Sequence, residues 1–495
     1  MIYVQRVWNL MDINYRLLIS FLFPFFIPDV GLGQVVNDQP NIVFFFVDDM
    51  GISDLSCYGS DFHQSPNIDK LANTGMRFTN AYAACTVCSP SRAALMTGQY
   101  PARLRITDWI DGWFMPYASM KIPEWQLFLP SESKTLPEEL RKNGYKTIHV
   151  GKWHLGDNEK DWPLSHGFDV NIGGWKAGSP ATNKGSYFSP YNNQTLADGK
   201  KGEYLTDRLV KEAIQQIENS KEQPFYLQFN FYNVHTPLQA KPEKVEKYQH
   251  LIENGKGGKH HQNPTYAAMV EHVDDAVGQI VDKLEKEGIL DNTIIVLSSD
   301  NGGLELKTNK KGRKPKSNYP YRAGKGNFYE GGVRVPMIVK WVGHIPKAES
   351  DVPAMTIDFM PTLLSLTSTK YKKKTVDGVD LRQVLTQKEK IDRTLFWHYP
   401  HYHIQGAEPY SAVLKGRWKY YRIYGQRNEL YDLSNDIGEA NNVIDKYEEV
   451  ANEMEKELNR WLKQTKAQLP EANPYFDPMK EKKTKPYNLR DQFWQ

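Results

Sequence analysis

Cysteine is scarce here, with three in 495 residues. Cys57, Cys85 and Cys88 cannot form a disulfide framework, so stability has to come from a buried core. Cys57 and Cys85 are left either paired or free. The Cys85-x-x-Cys88 spacing has the form of a redox or metal pair, but no second ligand pair lies nearby. An excess of one charge is also lacking. The 62 basic and 59 acidic residues leave a formal net charge of +3, which gives no indication of nucleic acid as a partner. Long apolar runs are missing with one exception, Leu17 to Ile27. Arg16 precedes it, Pro24 interrupts it, and Gly31-Leu32-Gly33 follows. This is the pattern of a signal peptide over residues 1–33, too short and broken to span a membrane. Translation from Met1 or from Met11 fits equally. The expected product is exported, periplasmic or secreted, starts near Gln34, and is not membrane-spanning. One local charge run, Lys307, Lys310, Lys311, Arg313, Lys314 and Lys316, reads either as a solvated loop or as a basic rim for a polyanion.

The remaining sequence has the size for one large domain and a smaller one. Asn41–Val47 is an unbroken apolar run, as expected of a strand buried on both faces, and it ends in Asp48-Asp49. Residues 293–299 repeat the design and end in Asp300-Asn301. Residues 147–150 lead to Gly151-Lys152, and residues 225–231 lead to His235. Helices are predicted over 136–143, 205–219 and 266–287, the last with Val270, Val273, Val277, Ile280 and Leu284 on one stripe and Gly288 as a stop. Alternating strands and helices predict an α/β fold: a large, mainly parallel sheet sandwiched by helices over 38–388. Short strands near 396–399, 410–414, 418–423 and 428–433, then a helix over 447–465, predict a smaller C-terminal α+β subdomain of antiparallel strands and a helix over 389–468. Residues 469–495 read as an irregular tail.

In a parallel sheet, ligands gather at the carboxyl ends of the strands, where these polar residues fall. Asp48, Asp49, Asp300 and Asn301 are hard oxygen donors suited to one Ca2+ or Mg2+, although a lone Asp at a strand end is ordinarily a turn or cap residue. Lys152, Lys325 and Arg92 are cations suited to an anionic substrate. His154 and His235 have the pKa range for moving protons at neutral pH. Pro90 suits the start of a helix over 91–98, with Cys88 at its positive end.

Cys88-Ser89-Pro90-Ser91-Arg92, continuing to Thr97-Gly98, resembles the signature of the type I sulfatases, in the alkaline phosphatase-like superfamily. Gly151-Lys152-Trp153-His154-Leu155-Gly156, Asn233-Val234-His235-Thr236-Pro237 and the run from Gly324 to Pro336 resemble further motifs of that family, in its order. Thr356 to Thr362 does so as scaffold. The resemblance covers roughly residues 38 to 465. It implies that Cys88 is oxidised to formylglycine (3-oxoalanine) by a formylglycine-generating or sulfatase-maturating enzyme. It implies one bound Ca2+ held by Asp48, Asp49, Asp300, Asn301 and residue 88. It further implies that a hydroxyl of the hydrated aldehyde attacks sulfur, that His154 takes a proton in the step that expels sulfate, and that His235 protonates the leaving alcohol. Lys152, His235 and Lys325 would bind sulfate, with Arg92 among the stabilising cations. One departure stands out: after His166-Gly167-Phe168-Asp169 no side-chain sulfate ligand can be named.

Trp109, Trp113, Tyr117, Trp125 and Trp175 flank these motifs, and aromatic faces can stack on sugar rings. His398, His401, Tyr402 and His403 cluster in a loop that reads as a substrate contact, with metal binding as the alternative. The expected substrate is a sulfated oligo- or polysaccharide, of the marine algal kind (ulvan, sulfated galactan or fucan) or an animal glycosaminoglycan. A phosphomonoester or phosphonate hydrolase of the same superfamily is the nearest rival, and a non-enzymatic polyanion-binding protein the more distant one.

Overall fold

The computed structural model describes residues 39–307, 315–483 and 487–488. The predicted signal segment, and Lys310, Lys311, Arg313 and Lys314 of the basic run, lie outside the described residues. Eight strands form the main sheet: β1 (Asn41–Val47), β2 (Met76–Phe78), β3 (Lys146–Gly151), β4 (Val170–Ile172), β5 (Phe225–Asn230), β6 (Thr293–Ser299), β7 (Met337–Lys340) and β8 (Ala348–Ser350). Their lateral order is β8-β2-β7-β6-β1-β5-β3-β4. All pairings are parallel except those of β7, which runs antiparallel to β6 and β2. The sheet is therefore mainly parallel, as its sequence pattern predicts.

Strand β1 shows why its run is apolar throughout. Val43, Phe45 and Val47 enter one core, and Ile42, Phe44 and Phe46 enter another on the opposite face. The first core is completed by helices α1 (Pro66–Thr74), α4 (Leu205–Ser220) and α5 (Pro264–Lys286). The second is completed by α2 (Cys88–Thr97), α3 (Leu136–Lys142) and α6 (Phe359–Leu366). Each buried Phe, Ile or Val contributes roughly 1.5–3 kcal/mol, so β1 is anchored from both sides. Helix α3 starts with a capping box: Glu138 N–H donates to Thr135 Oγ1, and Thr135 N–H donates to Glu138 Oε2, each at 3.4 Å. Helix α2 begins at Cys88, three residues before the expected start, because Pro90 sits within the first turn, where no N–H is needed.

Four strands, β9 (Thr394–Tyr399), β10 (Tyr410–Lys415), β11 (Trp418–Ile423) and β12 (Glu429–Asp432), form an antiparallel sheet in sequence order. Helix α7 (Glu448–Thr465) packs on it through Met454, Leu458 and Trp461. This sheet meets the segment carrying Lys325 through a buried ionic cluster. Glu330 receives Arg334 Nη1 at 2.7 Å, Tyr82 Oη at 3.1 Å and Lys419 Nζ. Glu439 Oε2 accepts from Glu330 N–H at 2.7 Å, and Tyr421 donates to its other oxygen.

Some of the described residues of the tail are ordered into strand and helix. Glu471–Ala472 pairs antiparallel with Met120–Lys121, and Tyr487–Asn488 pairs with Trp113–Phe114. Asn473 Nδ2 donates to the carbonyls of Pro116 and Ala118 at 2.8 and 2.7 Å. A helix spans Pro478–Lys483. The order comes from a distant ribbon, Trp113–Lys121, so the local composition of the tail gave no sign of it. Among the described residues, no helix is long and apolar enough to cross a membrane.

Candidate active site

The carboxyl ends of β6, β1, β5 and β3 lie side by side. Val47 is level with Ser299, Phe46 with Asn230, and Asn230 with Gly151. The residues just beyond, Asp300, Asp48 and Lys152, thus reach one place, and all are fully buried. Gly151 permits this approach. Its φ is +98°, and a Cβ there would fall 1.8 Å from the Asn230 carbonyl oxygen. Asp49 has φ +60°, in the left-handed region that Asp tolerates better than most residues.

Cys88 in the first turn of α2 joins this place. Its sulfur and a carboxylate oxygen of each of Asp48 and Asp300 all lie within 4.8 Å of one another. Asp49 N–H donates to Asp300 Oδ1 at 3.1 Å, and Asn301 Nδ2 donates to Asp49 Oδ1 at 3.0 Å. Lys152 Nζ is 2.8 Å from Asp48 Oδ2, and Lys325 Nζ is 2.7 Å from Asp49 Oδ1. Two buried oxygens, Asp48 Oδ1 and Asn301 Oδ1, accept no hydrogen bond. Orphaned oxygens beside three carboxylates and a sulfur are what a hard cation needs, so this donor set fits one.

Burial, with Asp300 and Asp49 nearby, pushes the Asp48 carboxyl well up against the pull of Lys152. Burial also works to raise Asp49, but Lys325 and then His235 hold it below the usual carboxylate range. The Cys88 thiol is raised by burial despite Lys152 and Lys325. A plain thiol here is a poor nucleophile at neutral pH.

A sulfatase family model matches residues 40–369, and a model of the N-sulphoglucosamine sulphohydrolase C-terminal region matches 323–466. The chain belongs to the sulfatase family. It is 34% identical over 396 residues to N-acetylgalactosamine-6-sulfatase of Rattus norvegicus, covering 74% of this chain and 70% of that one. It is 30% identical over 511 residues to a sulfatase of Formosa agariphila, covering 86% and 89%. The crystal structure of Ps i-CgsB in complex with k-i-k-neocarrahexaose matches with a TM-score of 0.71 at 28% identity, covering 89% of this chain and 96% of that one. This protein is a sulfuric ester hydrolase.

In this sulfatase, Arg92 is anchored by its neighbours. Its Nε donates to Asp300 Oδ2 at 2.9 Å and its Nη1 to the Lys152 carbonyl at 3.2 Å, while Nη2 lies 2.8 Å from Asp300 Oδ2. It fixes a carboxylate and the Lys152 backbone, because its side chain leaves α2 toward the strand ends. His154 (φ +61°) has Nε2 3.2 Å from the Ile110 carbonyl, which fixes Nε2 as the donor. Its Nδ1 faces the hydroxyl of Ser89, next to Cys88, at 3.3 Å. Burial, then Lys152, lowers its pKa well below the ordinary value. His235 donates from Nδ1 to the Thr236 carbonyl at 2.7 Å and turns Nε2 toward Asp49 Oδ2, 3.7 Å away. Burial, then Lys325, lowers it to about 3.

Other expectations are corrected. Lys316 belongs to no basic rim. It is buried, 3.2 Å from Asp54 Oδ2 and 3.0 Å from Asn318 Oδ1. Asp54 also takes Gly51 N–H at 2.8 Å and Tyr266 Oη at 2.7 Å, which braces the loop after Asp49. Sequence reasoning missed Asp54 and Tyr266; the only available signal was the position of Asp54 five residues beyond the acidic pair. Trp175 is core, 2% exposed, because its backbone carbonyl supports His154 N–H while its ring turns inward. Cys57 and Cys85 are both free. His398 and His401 are buried staples: His398 Nδ1 pairs with Ser411 Oγ at 2.7 Å, and His401 Nε2 with Thr107 Oγ1 at 2.8 Å. Tyr402 Oη binds the Met120 N–H at 2.9 Å. These bonds tie the histidine loop to the tryptophan-rich segment. Trp109 stays half-buried, its ring 6.5 Å from that of His154 and 5.6 Å from that of Trp113.

Proposed function

We propose that the protein removes sulfate from a sulfated carbohydrate, with Cys88 matured to formylglycine and one Ca2+ held by Asp48, Asp49, Asp300, Asn301 and residue 88. The observation that carries this reading is the meeting of the Cys88 sulfur with two strand-end carboxylates beside the orphaned oxygens of Asp48 and Asn301. Formylglycine would supply a hydrated aldehyde as nucleophile where the buried thiol is a poor one. The cation would offset negative charge on the sulfate oxygens.

The chain's own side chains account for the rest. Lys152 and Lys325 hold sulfate as preorganised cations on either side of the acidic cluster, each with a carboxylate that keeps it in place. Arg92 acts one layer back, holding Asp300 in position. His154 holds or takes a proton at Nδ1, the nitrogen left free by the Ile110 carbonyl, once the Ser89 hydroxyl yields. His235 presents Nε2 to the leaving oxygen, since its Nδ1–H is committed to the Thr236 carbonyl; Nε2 of the neutral ring is an acceptor, so it protonates the leaving oxygen only after taking up a proton itself. Lys152, Arg92 and His154 are buried, which strengthens these interactions, while Lys325 and His235 are partly exposed.

Carbohydrate is favoured by the half-buried Trp109 next to His154 and by the relatives. One is named for N-acetylgalactosamine 6-sulfate, and one structural neighbour holds a neocarrahexaose. We favour an algal galactan or related polysaccharide, with a glycosaminoglycan as the second choice. Export follows from the N-terminal pattern. The test is sulfate release from a panel of defined sulfated mono- and oligosaccharides, run beside 4-nitrophenyl sulfate and phosphate. Mass spectrometry of the Cys88 peptide from the native host accompanies it. Release from a sugar together with a formylglycine mass supports the reading. A uniformly unmodified thiol, or turnover of the phosphate ester alone, rejects it.

A further inference from the structure

Of the clustered residues His398, His401, Tyr402 and His403, only His403 borders the site. The loop between β9 and β10 docks on Gly326, the residue after Lys325. Ala407 N–H donates to the Gly326 carbonyl at 3.0 Å, and His403 N–H donates to the Ala407 carbonyl at 2.9 Å. The imidazole packs against Gly326, where a Cβ would fall 1.8 Å from His403 Nδ1; Gly326 also has φ +68°. Any side chain at position 326 would push the ring away. Gln405 N–H donates to Nδ1 at 3.2 Å, so Nδ1 is an acceptor and Nε2 carries the proton. Among the described residues, nothing accepts from Nε2. The ring is only partly covered and is close enough to Lys325 and Asp49 to feel both charges. Burial and then Lys325 lower its pKa to about 3, so it is a neutral donor, suited to an uncharged oxygen rather than to a second anion.

We propose that His403 is a specificity-determining residue that donates from Nε2–H to a hydroxyl or ether oxygen of the sugar, beside the carbon bearing the sulfate held by Lys325. This rests on the carbohydrate sulfatase reading and adds a contact made by the second sheet. A site with a placed donor discriminates against ligands lacking the acceptor, because the donor is then left unpaired.

The experiment uses the matured full-length enzyme, His403→Ala and His403→Gln. The substrates are 4-nitrophenyl sulfate and whichever of N-acetylgalactosamine 6-sulfate, galactose 6-sulfate or neocarrahexaose the parent cleaves fastest. In His403→Ala, the ratio of kcat/KM for sugar to that for aryl sulfate should fall about tenfold to thirtyfold, the range for loss of one good hydrogen bond. His403→Gln, whose amide reaches the place of Nε2, should recover most of it. Thermal melting identifies a variant that has simply lost its fold. An unchanged ratio in a well-folded His403→Ala, or a ratio that Gln does not restore, overturns the inference alone. A parent enzyme that cleaves aryl sulfate but no sugar overturns the carbohydrate reading beneath it.

Discussion

Two buried ionic clusters invite comparison. One joins Asp48, Asp49 and Asp300 with Arg92, Lys152 and Lys325. The other joins Glu330 and Glu439 with Arg334 and Lys419. Both are largely buried, with Lys325 the partly exposed member, and both mix carboxylates with cations. In the second cluster, among the described residues, every carboxylate oxygen has a donor. In the first, Asp48 Oδ1 and Asn301 Oδ1 have none. A closed cluster is scaffold, since its charges neutralise one another. An open one is a socket, since its geometry makes sense only with something added. Between these two clusters, burial and charge alone do not separate site from scaffold; the orphaned acceptors, set beside a sulfur and further carboxylates, do.

The comparison breaks most sharply at Asp48. Asp48→Asn keeps an acceptor for Lys152 and relieves repulsion from Asp49 and Asp300. It should lower sulfate release by about a thousandfold or more, while the urea midpoint measured in chelator, where neither protein holds the ion, stays nearly unchanged. Glu330→Gln should do the opposite, because it strands Lys419 and Arg334. A loss of about 3–5 kcal/mol in equilibrium unfolding is expected, with kcat falling far less than stability.

Asp108 sharpens the contrast as a lone buried acid. Burial raises its pKa to about 7, despite the donors Tyr399 Oη and Trp109 N–H. Its folded value lies above its unfolded one, so its stabilising contribution is full below about pH 4 and is lost as pH rises toward 7. Asp108→Asn should therefore match the parent at pH 4 and exceed it above pH 7. The gain is up to roughly 4 kcal/mol by linkage, and melting temperature against pH reads it. The smallest effect is metal removal. A calcium chelator should lower the melting temperature reversibly, the lost linkage amounting to about 3 kcal/mol of unfolding free energy relative to protein at a hundredfold excess of ion over its Kd. The same treatment should leave the Glu330→Gln deficit unaltered.

The open cluster was legible in the amino-acid order because strands mark their own ends. Asp48-Asp49 and Asp300-Asn301 follow runs that could only be doubly buried strands, and a parallel sheet aligns such ends. The direction of a long side chain is not written locally, which is why the bonds of Arg92 to Asp300 and to the Lys152 carbonyl were not foreseen. For the same reason Lys316 read as surface charge and proves to be an internal counterion for Asp54. Strands β2, β7 and β8, of three or four residues, carry too few positions for a period to show. Their pairing is decided by neighbours distant in the chain.

The pairing of Glu471–Ala472 with Met120–Lys121 also bears on handling the gene. The C-terminal family match stops at 466, and an expression plasmid trimmed to that limit would discard the stretch that clasps the tryptophan-bearing rim. Such a shortened product would lose the strand pairing and the Asn473 bonds that hold the Trp113–Lys121 ribbon.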